Sequence, residues 1–141
     1  MDEVNRKILE MLEENSRRPY TEIAEELDMS ETAVRKRVSK LEEQGVIKKY
    51  TIEIEPRKLG FHTVSITGIN TKPESFLNVA NKVKKLERVK EVSITSGDHA
   101  IMATIWAENG EELSQIISEK IGKIDGVEEV YPAIVLETVE D

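Results

Sequence analysis

There is no cysteine anywhere in the chain, which excludes disulfides as a source of stability. Histidine is scarce: His62 and His99 are the only two, and without cysteine they form no metal-ligand spacing. Solvated or hydrogen-bonded structural roles are expected for both, with no metal and no cofactor. Long apolar runs are missing too. No stretch approaches the ~20 residues of a membrane span, and the charged start Met1-Asp2-Glu3-Val4-Asn5-Arg6-Lys7 lacks the basic and apolar regions of a signal peptide. A cytoplasmic protein with no membrane partner is expected. Catalytic patterns are likewise absent: no Ser/His/Asp order and no phosphate-binding glycine loop stands out. The acidic pairs Glu13-Glu14, Glu25-Glu26, Glu42-Glu43 and Glu111-Glu112 read as solvated helix faces, so an enzyme is not expected.

What the chain does have is charge, in 34% of its 141 residues, against 38% hydrophobic residues, the composition of a soluble globular protein. The net charge of −8 argues at first against a polyanion as partner. Its distribution matters more than its sum. Residues 1–59 hold 12 Lys/Arg against 14 Asp/Glu, net −2, while the remainder holds 8 against 14, net −6. Positive charge in the first part is concentrated in 35–40 and 48–49.

From Asp2 to Glu14 the apolar residues Val4, Ile8, Leu9, Met11 and Leu12 recur at helical spacing, with Asp2 placed as the cap. A second short helix is predicted from Tyr20 to Leu27, burying Ile23, Ala24 and Leu27 and broken by Asp28-Met29, with Tyr20 as its anchor. Ser30 is a good N-cap for a third helix with Ala33, Val34, Val38 and Leu41 inward, which Gly45 ends. Val46–Ile54 then changes to β-branched alternation, which predicts a strand or small hairpin. Pro56 and Gly60 bracket Arg57-Lys58-Leu59, the best linker in the chain. The division is therefore a domain over 1–54, a linker over 55–60 and a second domain over 61–141.

The second domain contains a repeat. Lys85-Leu86-Glu87-Arg88-Val89-Lys90-Glu91-Val92 is similar to Lys123-Ile124-Asp125-Gly126-Val127-Glu128-Glu129-Val130, each after a helix-period segment and before a β-rich run. Two βαβ halves are implied. The first is a strand over 61–70, a helix over 73–86 (Pro73 at its start; Phe76, Val79, Ala80 and Val83 inward) and a strand over 90–96. The second is a strand over 101–107, a helix over 110–121 (Leu113, Ile116, Ile117 and Ile121 inward) and a strand over 128–138. Together they give a ferredoxin-like βαββαβ sandwich, and the whole chain is α+β. Strand 101–107 sets Ile101, Ala103 and Ile105 against Met102, Thr104 and Trp106, and neither side is properly polar. Two helices cover only one face, so the other is expected to bury itself in a homodimer, where the lone Trp106 packs. Two-fold symmetry also suits the reading of palindromic half-sites.

Residues 20–41 show a helix-turn-helix pattern. Ala24 is small where two helices cross closely, Leu27 and Val34 fill the angle between them, and the second helix keeps a polar outer face to enter a major groove. That face is Glu31, Thr32, Arg35, Lys36 and Ser39, with Lys40 near the end. Arg35 and Lys36 are suited to guanine edges or phosphates, Ser30 and Thr32 to phosphates or bases from the helix N-terminus, and Lys48-Lys49 to the flanking backbone. Double-stranded DNA is the expected partner. Alternatively, 20–41 is an ordinary helical hairpin with a solvated basic face. The turn position often held by glycine is Asp28 here, which tolerates left-handed geometry at some cost.

The run from Ser30 through Arg35-Lys36-Arg37 and Leu41-Glu42-Glu43-Gln44-Gly45-Val46-Ile47 resembles the helix-turn-helix of the leucine-responsive regulatory protein (Lrp/AsnC) family. The likeness continues through Tyr50, Pro56 and Leu59-Gly60 into the repeat and the Ser96-Gly97-Asp98 loop, and so covers essentially the whole chain. It implies a winged-type helix-turn-helix hinged to a ferredoxin-like effector domain, dimers that often assemble into octamers, and regulation of transcription by an amino acid or related metabolite. It also implies an effector site on the loop after the second strand of the second domain, where the family commonly has Ser/Thr-Gly-Asp-aromatic-Asp. Ser96, Gly97 and Asp98 match. His99 stands in place of the aromatic and Ala100 in place of the second acid, which counts against the family's usual amino-acid ligand. A carboxylate suits an ammonium group, and backbone N–H groups freed by Gly97 suit a carboxylate. A turn that only reverses the chain is the alternative. Two rival functions remain for the whole protein: a small-molecule-binding or enzymatic ferredoxin-like domain with helices that only mediate association, and an architectural DNA-compacting protein.

Overall fold

The structure, a computed structural model, describes residues 1–140. It divides into two compact units, Met1–Glu53 and a second that begins at Ile54. The first unit contains α1 (Glu3–Glu14), α2 (Tyr20–Glu26) and α3 (Glu31–Glu43). Asp2 caps α1, its carboxylate accepting from Asn5 N–H at 2.7 Å. The apolar stripes of the three helices meet in one cluster of Ile8, Leu12, Ile23, Ala24, Val34 and Val38, ringed by Val4, Met11, Tyr20, Leu27, Met29 and Ile47. Burying a side chain such as Ile8, Ile23 or Val34 contributes roughly 1.5–3 kcal/mol relative to leaving it in water. Arg37 ties α3 back to the start of α1, donating to Asp2 at 2.7 Å and Asn5 Oδ1 at 3.0 Å. That bond, and behind it the Asn5 N–H, holds the Asp2 carboxyl below the usual carboxylate range.

The turns that follow α2 and α3 close in the same way. After α2, Asp28 takes φ 53° while Met29 N–H reaches Ala24 O at 2.9 Å and Asp28 N–H reaches Glu25 O. After α3, Gly45 takes φ 74° with Val46 N–H on Leu41 O at 2.9 Å. These are Schellman closures, and Asp28 occupies the left-handed position that glycine usually fills. The strand or hairpin expected over Val46–Ile54 is not formed: no ladder is present there, and Val46, Tyr50, Ile52 and Ile54 are exposed. β-branched alternation fits a pleated surface, but a strand needs a neighbour to take its N–H and C=O groups, and the described chain supplies none.

The second unit opens with a short 3₁₀ turn, Pro56–Leu59, and continues through β1 (Thr63–Thr71), α4 (Phe76–Lys84), β2 (Val89–Ile94), β3 (Ile101–Ala107), α5 (Gly110–Gln115) and β4 (Val127–Ile134). The sheet order is β2-β3-β1-β4, with every neighbouring pair antiparallel. This is the ferredoxin-like arrangement the two βαβ halves imply. The repeat is a repeated turn. Val89 N–H bonds Leu86 O at 3.1 Å and Val127 N–H bonds Ile124 O at 3.2 Å, so each copy swings the chain from helix to strand in the same way.

Four expectations shift. Pro73 lies in a turn closed by Ser75 N–H on Lys72 O, and α4 begins only after Ser75. Phe76 is therefore the first helical residue and is exposed, whereas Val79, Ala80 and Val83 are buried. Helical side chains lean toward the N-terminus, so the first one overhangs the end of the sheet. The helix expected over 110–121 is α-helical only to Gln115, then makes a π turn over Ile116–Lys120 and a 3₁₀ turn over Ile121–Lys123. Ile116 and Ile121 are five residues apart, and the wider turn lets both be buried. β4 stops at Ile134, with Val135 N–H on Val64 O as its last bond, and Leu136 and Val139 beyond it are exposed with no apolar surface among the described residues to bury against.

Ile69, Ile101, Ala103, Ile105 and Ala107 form the core beneath the helices with Val79, Val83, Leu113, Ile116 and Ile121. Two polar side chains on that face, Ser65 and Thr67, are fully buried and satisfy each other at 2.7 Å. The opposite face holds Val64, Ile66, Gly68, Met102, Thr104, Trp106, Tyr131 and Ala133, as the register requires. Ile66 and Tyr131 are more than two-fifths exposed, and Trp106 is half-buried beside Phe61 with Lys90 Nζ 4.6 Å from its ring centroid.

Candidate nucleic-acid interface and effector loop

α3 has two faces of different chemistry. Val34, Val38 and Leu41 are buried, and half-buried Arg37 behind them is engaged with α1. Opposite them Ser30, Glu31, Thr32, Arg35, Lys36, Ser39 and Lys40 are all exposed, because residues three and four apart share a helix face. Lys48 and Lys49 are exposed on the irregular segment beyond the helix. Of these nine residues five are cationic and only Glu31 is acidic, so the surface favours an anion despite the negative chain.

Ser30 Oγ accepts from Ala33 N–H at 3.1 Å, which caps α3 and leaves the hydroxyl hydrogen available as a donor. Arg35 is held from two sides. Its Nη2 lies 2.6 Å from Glu31 Oε1, and its guanidinium carbon lies 5.2 Å from the centroid of the Tyr20 ring. By contrast, Lys36, Lys40, Lys48 and Lys49 make no ion pair among the described residues. Tyr20 has company of its own: partial burial and a hydrogen bond to Glu42 push the Tyr50 hydroxyl far above the usual tyrosine range, with Tyr20 adding to the effect. Sequence reasoning placed Tyr20 as an anchor and missed its position beside Arg35. The crossing of α2 and α3 creates that contact, and no spacing along either helix records it.

In the second unit Ser96, Gly97 and Asp98 are exposed at the tip of the loop between β2 and β3, with Gly97 at φ 99°. Thr95 closes the loop, its N–H on Ala100 O at 2.9 Å and its hydroxyl donating to His99 O at 2.7 Å. His99 turns away from the tip. Its ring lies on the open sheet face over Gly68, with Nδ1 3.2 Å from Asn70 Oδ1 and the Tyr131 ring 5.1 Å away. The Tyr131 hydroxyl in turn donates to Glu129. Ala100 packs against the core beneath the helices. The five residues expected to bind an effector thus divide into an exposed Ser96-Gly97-Asp98 tip and a His99-Ala100 base that anchors it. A cavity of about 150 Å³ lies at other residues, among them Arg88, Glu112, Gln115 and Lys120. Arg88 there donates to Glu112 at 3.1 Å, pairs with Glu108 at 3.4 Å and lies over the Phe61 ring. The Glu108 N–H and then Arg88 hold the Glu112 carboxyl below its usual range, which makes this cluster a tie between α5 and the repeated turn.

Residues 1–48 match the winged helix-turn-helix DNA-binding family, and residues 64–141 match the Lrp/AsnC ligand binding domain. The chain belongs to the Lrp/AsnC family. It is 56% identical to the HTH-type transcriptional regulator LrpA of Pyrococcus horikoshii over 99% of each chain. It is 34% identical to LrpA1 of Halobacterium salinarum over 95% of this chain and 94% of that one. The solved structure of E. coli AsnC superposes with a TM-score of 0.87 at 28% identity, covering 98% of this chain and 93% of that one. As an Lrp/AsnC protein the chain is a DNA-binding transcriptional regulator, with a helix-turn-helix in its first unit and a ligand-binding domain as its second.

Proposed function

We propose that this regulator reads an operator with α3 in the major groove, as a two-fold dimer joined through the open sheet faces, and answers to an amino acid or related metabolite at the Ser96-Gly97-Asp98 tip. The observation that carries the reading is the division of α3 into a wholly packed side and a cationic side that no part of its own unit covers. Arg35 and Lys36 are set to meet base edges or phosphates, Ser30, Glu31, Thr32, Ser39 and Lys40 border them, and Lys48-Lys49 continue toward the flanking phosphates. The dimer is supported by the apolar open face around Ile66, Met102 and Trp106, which two helices on the other side leave uncovered.

For the effector, Asp98 offers a carboxylate to an ammonium group, while half-buried His99 and Ala100 hold the base of the loop. A binding protein rather than an enzyme is the reading that the regulator family supports, and a cytoplasmic one fits a chromosomal partner. No helix of the described residues is long and apolar enough to cross a membrane.

The test is Arg35→Ala combined with Lys36→Ala in the full chain, titrated by gel shift against duplexes that the unaltered protein selects from a random pool. Operator affinity falls by roughly a hundredfold or more, since each good base contact discriminates by ~1–3 kcal/mol and each phosphate contact adds salt-dependent affinity. Circular dichroism and oligomer size stay as they were. Unchanged affinity sinks the proposal.

A further inference from the structure

We infer that the cations of this face have different duties: Arg35, stacked on Tyr20 and paired with Glu31, is the base reader, Lys36, Lys40, Lys48 and Lys49 are phosphate anchors, and Tyr20 and Glu31 set specificity by positioning Arg35. The inference rests on the proposed placement of α3 in a groove and deepens it.

Arginine is a flexible side chain with five N–H donors in a fixed planar fork, and reading guanine requires two of them to meet O6 and N7 together. A free Arg loses rotamer freedom when it is fixed, which blunts discrimination. Here the loss is largely taken before DNA arrives. Glu31 holds one amino group at 2.6 Å and the Tyr20 ring lies 5.2 Å from the guanidinium carbon, while the side chain stays 60% exposed. The N–H groups not taken by Glu31 remain available outward. Glu31 has a second effect. At the N-terminal turn of α3, where a phosphate would otherwise settle, its carboxylate offsets the Arg35 charge and repels the backbone of a misplaced duplex. Its second oxygen is also an acceptor of the kind that cytosine N4 requires. The four lysines have neither a ring nor a carboxylate partner among the described residues and are point charges on long stems, which suits phosphates and carries no sequence information.

Full-length wild type, Arg35→Ala, Tyr20→Leu, Tyr20→Phe, Glu31→Gln and Lys36→Ala are each used to select duplexes from a random pool, followed by competition with single-base variants of the wild-type motif. Arg35→Ala is expected to erase the preference at one base pair of each half-site. Tyr20→Leu and Glu31→Gln weaken the preference at that same pair on the order of tenfold and leave the rest of the motif. Tyr20→Phe keeps the ring and the wild-type motif. Lys36→Ala keeps the motif and lowers the slope of log affinity against log salt by about 0.9, whereas Tyr20→Leu leaves that slope alone. Tyr20 also borders the helical core, so the exposed Glu31 carries the test if Tyr20→Leu fails to fold. A wild-type motif with wild-type discrimination from Glu31→Gln overturns the inference, as does relaxation spread evenly over every position. An Arg35→Ala and Lys36→Ala double variant that still binds fully overturns the groove placement itself, a result distinct from either of those.

Discussion

Replacing Gly68 by alanine places a Cβ where the His99 ring already lies, 2.5 Å from its Cγ and Cδ2 and 2.8 Å from Nε2. β1 cannot retreat, because it is laddered to β3 on one side and β4 on the other. The ring has to leave. Leaving breaks the hydrogen bond to Asn70 and the contact with Tyr131. The first is worth about 1 kcal/mol net and the second about 0.5–1.5 kcal/mol. Alanine suits a strand better than glycine and returns about 0.5–1 kcal/mol, so the net loss is about 0.5–2 kcal/mol. The assay is urea unfolding of Gly68→Ala, His99→Ala and the double variant, all at one protomer concentration because self-association shifts apparent stability. His99→Ala loses the same contacts, about 1.5–2.5 kcal/mol together, but leaves room for the methyl group. Gly68→Ala is then neutral or slightly stabilising in that background, and the cycle shows a coupling of about 1.5–2.5 kcal/mol, the energy of the contacts themselves. Effects that add to within about 0.5 kcal/mol refute the claim that His99 anchors the effector loop through Gly68.

Asp28 holds the left-handed turn of the helix-turn-helix at φ 53°, so Asp28→Ala destabilises by about 1 kcal/mol while Asp28→Gly is neutral or stabilising, as thermal unfolding of the two will show. The Glu112 carboxyl is held below the ordinary glutamate value in the folded chain. Its contribution is therefore fully present above that value and is lost as pH falls through the lowered one. Glu112→Gln accordingly loses stability near neutrality, and the difference from the unaltered protein narrows as pH is lowered below the ordinary glutamate value, by urea midpoints taken from neutral to acid pH. A constant difference across the range counts against the tie between Glu112, Arg88 and the Glu108 N–H.

Much of this was legible along the chain because helix faces repeat at a fixed period. Val34, Val38 and Leu41 against Arg35, Lys36 and Ser39 is a pattern that only one orientation of α3 satisfies. Ile101 to Ala107 alternates between buried and half-buried without a break. What escaped depends on partners distant in sequence. The alternation of Val46–Ile54 states what a strand would bury but not whether a neighbour exists to pair with it. The π turn was present as the five-residue spacing of Ile116 and Ile121, yet Leu113, Ile116 and Ile117 fit an α-helix well enough to hide it. At the candidate sites the same limit applies. Nothing along the chain sets Tyr20 beside Arg35, and nothing marks Gly68 as the floor beneath His99 until β1 and β3 are paired.

The central claim is that α3 lies in a major groove on each half of a two-fold dimer. Hydroxyl-radical footprinting and guanine-N7 methylation interference on a duplex selected by the protein test it together. Two symmetric patches of blocked N7 positions are expected about 10–10.5 base pairs apart, or a multiple of that spacing, both lost with Arg35→Ala and Lys36→Ala. Protection that runs evenly along the duplex, or patches that survive the double substitution, would contradict it.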